Sequence, residues 1–440
     1  MRYSIMNSRI KTHNRFLIKT LGCKVNQYES QAMREILLRS GFAEASVPEN
    51  ADVYILNTCT VTHEADKESR YLIKAFHRKN PKAAIAVTGC YVAEDAGRIL
   101  ELPGVSYVLR NDRKGRIAEM LAGGGMGADI AQLRITDFKG HSKAFVKIQD
   151  GCENRCSYCK VPLVRPILGS KLTGDVVDEV KGLVLKGFKE IVLTGICLGA
   201  WGADIQVRRG VKKPSLVDVL EALERVKGDF RIRLSSIEPK YVTDDLIRYI
   251  ADSKRACKHL HIPLQSGDDK ILRRMNRPYT AKGYLGLIKK IRSRIKGCAV
   301  TTDVIVGFPG ETEENFKNTV ACMRAARPLR THIFTFSGRE GTAACGMDGA
   351  VSADVMKKRY DALCGVARRS SYLCRKKFLK RRLDVLVETK RDKGTGLLTG
   401  YSDNYIKVEF EGPDSLMGRI VPVKVKKLDE DRTIGAIKND

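Results

Sequence analysis

Residues 144–159 read AFVKIQDGCENRCSYC, and this stretch decides the fold that we expect. A strand-like apolar run passes directly into three cysteines spaced as CxxxCxxC, namely Cys152, Cys156 and Cys159. Cysteine thiolates ligate cubane iron–sulfur clusters, and three of them on one loop leave a fourth iron free for an external ligand. The alternative is a zinc site that a distant fourth residue completes. The sequence therefore predicts a metal centre where this strand ends.

Three further cysteines, Cys23, Cys59 and Cys90, each follow an apolar run closely. The runs cover residues 16–21, 53–56 and 83–87. Because the carboxyl ends of parallel strands share one edge of a sheet, thiols far apart in the sequence can converge there. Three convergent thiolates can hold a second cluster. The alternative is three independent small buried residues.

The order of apolar runs and helical patterns predicts an α/β fold with three domains. Residues 1–121 alternate strands with helices near 30–40 and 64–78, which indicates a parallel sheet. Residues 122–140 form a predicted linker, which begins with AGGGMG (122–127). Residues 141–373 predict a partial (β/α) barrel whose chemistry lies at the strand carboxyl ends. Its six candidate strands are 144–148, 190–194, 231–234, 259–264, 300–306 and 332–336. Residues 374–440 alternate short strands with turns, which indicates a small antiparallel β-barrel.

The composition favours a polyanionic partner and a cytoplasmic location. Lys and Arg outnumber Asp and Glu by 79 to 51, a formal net charge of +28, and such an excess suits nucleic acid. The alternative is a basic protein that is merely soluble. No apolar run reaches the roughly 18 residues of a membrane span, and residues 1–15 lack the apolar block of an export signal. The 13 cysteines, an odd number in a chain without such a signal, argue against a disulfide framework.

Motifs outside the cluster loop resemble those of the radical S-adenosylmethionine methylthiotransferase family. They are KTLGCKVNQYES (19–30), NTCTVT (57–62), TGC (88–90), LSSIEP (234–239) and IPLQSG (262–267). The resemblance covers nearly the whole chain. It implies an N-terminal domain with an auxiliary cluster, a radical S-adenosylmethionine barrel and a C-terminal TRAM domain that binds RNA.

The resemblance also implies cofactors, partners and a reaction. The cofactors are S-adenosylmethionine and two 4Fe–4S clusters, and the partners are a tRNA anticodon stem-loop and an electron donor such as flavodoxin or ferredoxin, with no membrane. TLGCKVN (20–26) and THEADKESR (62–70) are similar to the branch that converts N6-threonylcarbamoyladenosine at tRNA position 37 to its 2-methylthio derivative. The alternatives are a methylthiotransferase for isopentenyladenosine in tRNA or for an aspartate of a ribosomal protein. A non-catalytic, zinc-stabilised RNA-binding protein is an alternative from a different class.

The predicted site consists of six metal ligands and a set of cofactor contacts. The expected ligands are Cys23, Cys59, Cys90, Cys152, Cys156 and Cys159. The expected S-adenosylmethionine contacts are Tyr158, Gly195, Ser235, Glu238, Gln265 and Gly307. Backbone and small polar groups at strand ends suit an amino acid and a ribose, although a purely structural role is equally open for each. The other seven cysteines are expected to be small buried residues: Cys197, Cys257, Cys298, Cys322, Cys345, Cys364 and Cys374.

The chain departs from the family's pattern at a few positions, none of which removes a cluster ligand. Lys160-Val161-Pro162 stands where two apolar residues usually follow the cluster loop, Arg165-Pro166 stands for Arg-Gly, and Phe336 stands for a common Tyr.

The C-terminal part offers candidate RNA contacts. The basic residues of 375–382 could contact phosphates, and Tyr401, Tyr405 and Phe410 could stack on bases. The alternative is a solvated helix face and ordinary core aromatics.

Overall fold

The computed structural model describes residues 15–122, 133–208, 210–211 and 213–437. Apart from Ala122, the glycine-rich run predicted as a linker lies outside the described residues. Internal contacts divide the chain into two units. The first contains the chain up to Thr136 together with Lys160–Pro166, and the second contains Asp137–Cys159 and the chain from Ile167 onward. The domain boundaries predicted near residues 121, 140 and 373 stay predictions.

The first unit is a five-stranded parallel sheet with helices on both faces, in the order β2-β1-β3-β4-β5. Its strands are β1 (Arg15–Thr20), β2 (Ala43–Glu44), β3 (Val53–Thr58), β4 (Ala84–Gly89) and β5 (Val105–Leu109). Its helices are α1 (Lys24–Arg39), α2 (His63–Lys79), α3 (Cys90–Glu94), α4 (Ala96–Leu100), α5 (Ile117–Ala122) and α6 (Val161–Val164). The predicted parallel α/β organisation of this part is confirmed.

The core of this sheet is formed by β3 and β4, which are buried along their whole length. Successive side chains of a strand point to opposite faces. Leu56 therefore packs with Ile73 of α2 on one face, whereas Ile55 packs with Leu37 of α1 on the other. Burial on both faces explains why these strands read as continuous apolar runs rather than as alternating ones.

The second unit contains the strands of the predicted barrel. They are β6 (Ala144–Asp150), β7 (Gly169–Ser170), β8 (Glu190–Gly195), β9 (Arg231–Leu234), β10 (His259–His261), β11 (Ala299–Val306) and β12 (Arg330–Thr335). The helices are α7 (Thr173–Leu185), α8 (Leu216–Glu224), α9 (Asp244–Asp252), α10 (Asp269–Arg274), α11 (Ala281–Arg294), α12 (Glu313–Ala326) and α13 (Ala353–Lys376). No helix of the described residues is long and apolar enough to cross a membrane.

Six of these strands form the partial barrel. β6, β8 and β9 pair in parallel, as do β10, β11 and β12. Two parallel bridges, Ile232 to Ala256 and Ser236 to His261, join the two sheets. β7 adds an antiparallel edge beside β6. The six strands are those expected from the sequence.

The C-terminal part is a closed five-stranded barrel, as predicted. Its strands are β13 (Arg382–Val387), β14 (Leu398–Ser402), β15 (Lys407–Phe410), β16 (Ile420–Leu428) and β17 (Thr433–Ile437). The order around the barrel is β13-β14-β15-β17-β16. Every neighbouring pair is antiparallel except β15 and β17, which meet at one parallel bridge.

Buried charges join this small barrel to the amino-terminal ends of β8 and β9. Glu190, which is 1% exposed, accepts hydrogen bonds from Arg231 at 2.6 Å and from Arg233 at 2.8 Å. At 2.7–3.0 Å, the same two guanidinium groups donate to the backbone carbonyl oxygens of Asp384, Tyr401, Ser402 and Asp403. Burial alone would raise the pKa of Glu190, but the charges of Arg233 and Arg231 outweigh it and lower this pKa to about 2.

We predict that Glu190→Gln lowers the free energy of unfolding at pH 7 by roughly 3–5 kcal/mol, because two buried guanidinium groups lose their counter-charge. The pKa of Glu190 is depressed in the folded state. Its stabilisation is therefore present above the ordinary pKa of 4.5 and is lost as the pH falls toward about 2. Urea denaturation at several pH values measures this difference, which should shrink below pH 4.5.

The matched control is Glu221→Gln on the exposed face of α8, which should change the free energy of unfolding by less than about 0.5 kcal/mol. A Glu190→Gln deficit that is equally large at pH 3 and pH 7 would contradict the assignment of the stabilisation to an ionised Glu190.

Candidate functional site

The first unit brings three thiols together at one edge of its sheet. Cys23, Cys59 and Cys90 follow the carboxyl ends of β1, β3 and β4 by one to three residues. Burial raises the pKa of Cys59 to about 11, and the nearby Cys90 and Cys23 add to the rise. Cys90 also raises the pKa of Cys23. Because the carboxyl ends of parallel strands share one edge, the three thiols lie at the same edge of the sheet.

Two glycines allow the chain to turn tightly at this edge. Gly22 has φ +90° and Gly89 has φ +105°, a region that L side chains rarely adopt. A Cβ on Gly22 would lie 2.7 Å from the Cβ and 3.0 Å from the Sγ of Cys59. A Cβ on Gly89 would lie 2.2 Å from the carbonyl oxygen of Thr58. The absence of a side chain therefore lets Gly22 lie against Cys59 and Gly89 lie against the backbone of Thr58.

A buried ionic network lies beside these thiols. The fully buried Glu29 accepts two hydrogen bonds of 2.9 Å from Arg165 and one from Lys114. Lys114 also donates to Asn57 at 3.0 Å. Cys23 is exposed; desolvation by the surrounding protein raises the pKa of its thiol, and the charge of Arg165 opposes this rise. The network places two cations where thiolate charge would need compensation.

The sequence analysis did not assign Glu29, Lys114 or Arg165 to the site. Two signals were available, because Glu29 lies in the quoted motif 19–30 and Arg165 lies in the segment that departs from the family's pattern. Lys114 gave no signal, because a lysine within a basic stretch (110–116) is expected to lie on a solvated surface.

In the second unit, the CxxxCxxC loop follows β6 directly. The backbone N–H of Cys159 donates to the carbonyl oxygen of Cys156 at 3.1 Å, which closes a turn within the loop. Arg277 donates to the Sγ of Cys156 at 2.9 Å and forms an ion pair with Glu238. Burial raises the pKa of Cys156, and Arg277 opposes this rise. Arg277 thus favours a thiolate at Cys156, a role that the sequence analysis missed.

Cys197 lies beside the first thiol of this loop. A hydrogen bond with Cys197 lowers the pKa of Cys152 to about 7, although burial opposes the change. The backbone N–H of Cys197 donates to the side chain of Gln149 at 2.7 Å. Of the seven cysteines expected to be buried, Cys197, Cys257, Cys322 and Cys374 are buried, Cys298 and Cys364 are half-buried, and the expectation is wrong for Cys345, which is exposed.

The predicted cofactor contacts lie at or just beyond the carboxyl ends of the barrel strands. Gly195 ends β8, Ser235 follows β9, and Gln265 bridges in parallel to Val304 of β11. The buried Oγ of Ser235 has no hydrogen-bond partner among the described residues. The remaining position at a strand end is Gly307.

Three of the predicted contacts already have partners within the protein. Glu238 is paired with Arg277. The backbone N–H of Gly307 donates to Glu311 at 2.8 Å. Tyr158 packs edge-on against Phe308, and burial raises its pKa well above the ordinary value. These contacts give each of the three a structural role within the fold.

The C-terminal aromatics are engaged inside the protein. Phe410 is 1% exposed in the core of the small barrel. Tyr405 stacks on His259 with ring centroids 4.5 Å apart and on Tyr401 at 5.0 Å. Phe410 is therefore an ordinary core aromatic residue, which was the alternative to a base-stacking role. The described contacts of the two tyrosines are with the protein.

The basic residues of 375–382 include one buried and several exposed side chains. Arg375 is buried and donates to the carbonyl oxygens of Arg432 and Glu430. Lys376, Lys377 and residues 380–382 are exposed. Only the exposed members of the run are available to phosphates.

Comparisons with family models match two parts of the chain. Residues 15–109 match the uncharacterized protein family UPF0004. Residues 146–323 match the radical SAM superfamily.

Curated relatives are similar over nearly the full length. The chain is 36% identical to the threonylcarbamoyladenosine tRNA methylthiotransferase MtaB of Bacillus subtilis (strain 168), with 93% of each protein covered. It is 37% identical to the MtaB protein of Thermotoga maritima, with 95% of each covered. It is 33% identical to a tRNA-2-methylthio-N(6)-dimethylallyladenosine synthase of Clostridium tetani, with 94% of each covered.

Among solved structures, the radical S-adenosylmethionine methyltransferase TsrM of Kitasatospora setae has a similar fold. The TM-score is 0.53 at 14% sequence identity, with 73% of this chain and 75% of that chain covered. At this identity the similarity concerns the fold alone.

We predict that Gly22→Ala destabilises the protein by about 2 kcal/mol or more, because the new residue is strained at φ +90° and its Cβ meets Cys59. Chemical denaturation measures the loss. The matched control is Gly97→Ala in α4, where the nearest atom would be 3.6 Å away and a helical alanine is worth up to about 1 kcal/mol. Equal stability of Gly22→Ala and the wild type would contradict the tight approach of Gly22 to Cys59.

Proposed function

Because the chain belongs to the radical S-adenosylmethionine methylthiotransferase family, we propose that it converts N6-threonylcarbamoyladenosine at position 37 of tRNA to its 2-methylthio derivative. The observation that carries the proposal is similarity of 36–37% over at least 93% of the chain to proteins with this named activity. The cysteines also support the proposal. The barrel loop has all three cysteines of the CxxxCxxC motif, and the edge of the first unit has the three cysteines expected for a second cluster. The reaction takes place where tRNA is found, in the cytoplasm.

The cofactor of the barrel fits the residues at its strand ends. Radical S-adenosylmethionine enzymes use this cofactor with a 4Fe–4S cluster. Cys152, Cys156 and Cys159 would hold three irons. Arg277 favours the thiolate of Cys156, and Cys197 favours the thiolate of Cys152. The unpartnered Oγ of Ser235 is a candidate hydrogen-bonding group for S-adenosylmethionine. Gly195 and Gln265 lie at the same carboxyl ends.

A second cluster fits the edge of the first unit. Cys23, Cys59 and Cys90 provide the same three-thiolate donor set, and thiolates are the usual protein ligands of iron–sulfur clusters. Arg165 and Lys114 would balance part of the charge of the thiolates, since both interact electrostatically with this group of cysteines. A 4Fe–4S cluster at each site corresponds to about eight irons per chain.

The chemistry explains why two sites are needed. When bound, the barrel cofactor supplies a radical that can remove the hydrogen at carbon 2 of adenine, the auxiliary cluster supplies sulfur, and a second S-adenosylmethionine supplies the methyl group. Carbon 2 is unreactive toward polar nucleophiles, so polar side chains alone cannot substitute it. The chain itself orients the adenine and excludes water. An electron donor of the flavodoxin or ferredoxin class supplies the electron.

The anticodon stem-loop suits the basic C-terminal part. In a single-stranded loop, a base can turn outward at a cost on the order of a few kcal/mol. The exposed Lys376, Lys377 and Arg381 are candidate phosphate contacts, whereas the aromatic side chains of this part are engaged within the protein.

A methylthiotransferase for dimethylallyladenosine is the second candidate. Relatives with that name are 33% identical over 94% of this chain, close to the values for the first group. Nucleoside analysis separates the two substrates directly, because the modified adenosines differ in mass. It also separates both from modification of a ribosomal protein.

We predict that tRNA from cells lacking this protein contains N6-threonylcarbamoyladenosine without its 2-methylthio form, as measured by mass spectrometry of nucleosides. Wild-type protein should restore the product, whereas Cys59→Ala and Cys156→Ala should not.

The two purified variants should differ in radical formation and iron content. Cys59→Ala should still form 5'-deoxyadenosine, because the barrel site is intact, and should lose about half of the iron. Cys156→Ala should form none.

Cys364→Ala serves as the matched control, since Cys364 lies in α13 and belongs to neither set of three thiols. It should keep both activities. Full iron content and normal methylthiolation in Cys59→Ala would return the N-terminal cysteines to a structural role. Loss of methylthio-dimethylallyladenosine instead would favour the second candidate substrate.

We predict that replacing Lys376, Lys377 and Arg381 by Ala weakens tRNA binding and reduces its dependence on salt. Each lost phosphate contact lowers the slope of log affinity against log salt by about 0.7, so a slope change of about 2 is expected for three contacts. Binding measured at several salt concentrations provides the slope. Truncation at Arg381 is a poorer experiment, because it would uncover the buried Arg231 and Arg233.

The control for net charge removes three exposed lysines elsewhere, Lys181, Lys186 and Lys227. Its slope should stay close to that of the wild type. Equal slope changes in the two triple variants would show that only the total charge matters, and would contradict a binding surface on the C-terminal part.

A further inference from the structure

Three adjacent strands of the partial barrel present two imidazoles and a carboxylate to one another. His261 ends β10, Asp303 lies in β11 and His332 lies in β12. Asp303 and His332 are direct neighbours in the parallel register, and His261 is the neighbour of Thr301, two residues before Asp303. Side chains two residues apart in a strand share a face, so all three lie on the same side of the sheet.

Two distances within this histidine–aspartate trio are close to those between the ligands of a metal ion. One carboxylate oxygen of Asp303 lies 3.0 Å from Nε2 of His261, and the other lies 3.0 Å from Nδ1 of His332. All three ligand atoms lie within 4.8 Å of one another. An ion bound tetrahedrally at about 2.0–2.1 Å by each ligand separates neighbouring ligand atoms by about 3.3–3.4 Å, so a shift of a few tenths of an ångström would admit it.

A second layer orients His261. Its Nδ1 lies 2.9 Å from the Oγ1 of Thr301, a side chain that is 1% exposed. Histidines that bind metals commonly form a hydrogen bond through the other ring nitrogen, which fixes the ring and directs the free nitrogen to the metal. The side chains of His261, Asp303 and His332 are 12%, 21% and 49% exposed, so an ion can enter from the side of His332.

We propose that His261, Asp303 and His332 bind one divalent transition-metal ion, such as Zn²⁺, with coordination positions left open for water or an anionic oxygen. Two imidazoles and one carboxylate form a set that suits first-row transition metals and differs from the thiolate sets of both cluster sites. The trio contains no cysteine, and the proposed function assigns it no role. The inference therefore does not depend on that function.

The test uses the purified protein with its iron–sulfur clusters in place. Equilibrium dialysis against ZnCl₂, followed by separate measurement of zinc and iron by mass spectrometry, should show about one zinc per chain with unchanged iron. Asp303→Asn keeps the shape of the side chain but loses the anionic ligand, and His332→Ala removes a half-exposed ligand. Each should weaken zinc binding at least tenfold without changing the iron content. The matched control is His63→Gln, which changes an exposed histidine of α2 and should bind zinc like the wild type.

X-ray absorption at the zinc edge identifies the ligands without any variant. Nitrogen and oxygen neighbours at about 2.0–2.2 Å support the proposal, whereas sulfur neighbours at about 2.3 Å would place the zinc on cysteines and overturn it. Equal zinc binding by the wild type and both trio variants, or no binding by the wild type, would also overturn the proposal. The trio would then be a hydrogen-bonded group alone.

Discussion

The rest of the structure depends on one constraint, the parallel direction of the strands in both units. Parallel pairing forces every strand of a sheet to end at the same edge, so residues that follow different strands become neighbours whatever their separation in the sequence. Cys23, Cys59 and Cys90 are placed at one edge of the first unit in this way. The same rule places Ser235 and Gln265 at the carboxyl ends of the barrel strands, to which the CxxxCxxC loop also belongs.

Electrostatics completes both thiol sites. A cluster ligand must be a thiolate, and burial alone opposes that state. Cations offset this effect, with Arg277 at Cys156 and Arg165 beside Cys23. The carboxylates Glu238 and Glu29 in turn hold the two arginines in place. The ion pair with Glu238 thus accompanies a hydrogen bond from Arg277 to the Sγ of Cys156, and the ion pair with Glu29 holds Arg165 near enough to Cys23 to act on its charge.

The amino-terminal ends of the barrel strands have a structural role. Glu190, Arg231 and Arg233 occupy the amino-terminal ends of the strands and tie the small C-terminal barrel to the partial barrel through backbone carbonyl oxygens. Tyr405 also stacks on His259 there, and Phe410 lies in the core of the small barrel. The exposed charges of this part, such as Lys376 and Lys377, are its candidate RNA contacts.

The sequence by itself determined the fold class, the order of the strands along the chain and the six-cysteine pattern, because apolar periodicity and the CxxxCxxC spacing are local signals. It also carried the family, through motifs spread over nearly the whole chain. Only the tertiary structure decided which distant residues meet. Arg277, Lys114 and the histidine–aspartate trio carry no local signal, since a lysine, an arginine or a histidine has the same neighbours in sequence whether it pairs with a thiol, a carboxylate or water. Their partners are set by strand register and packing.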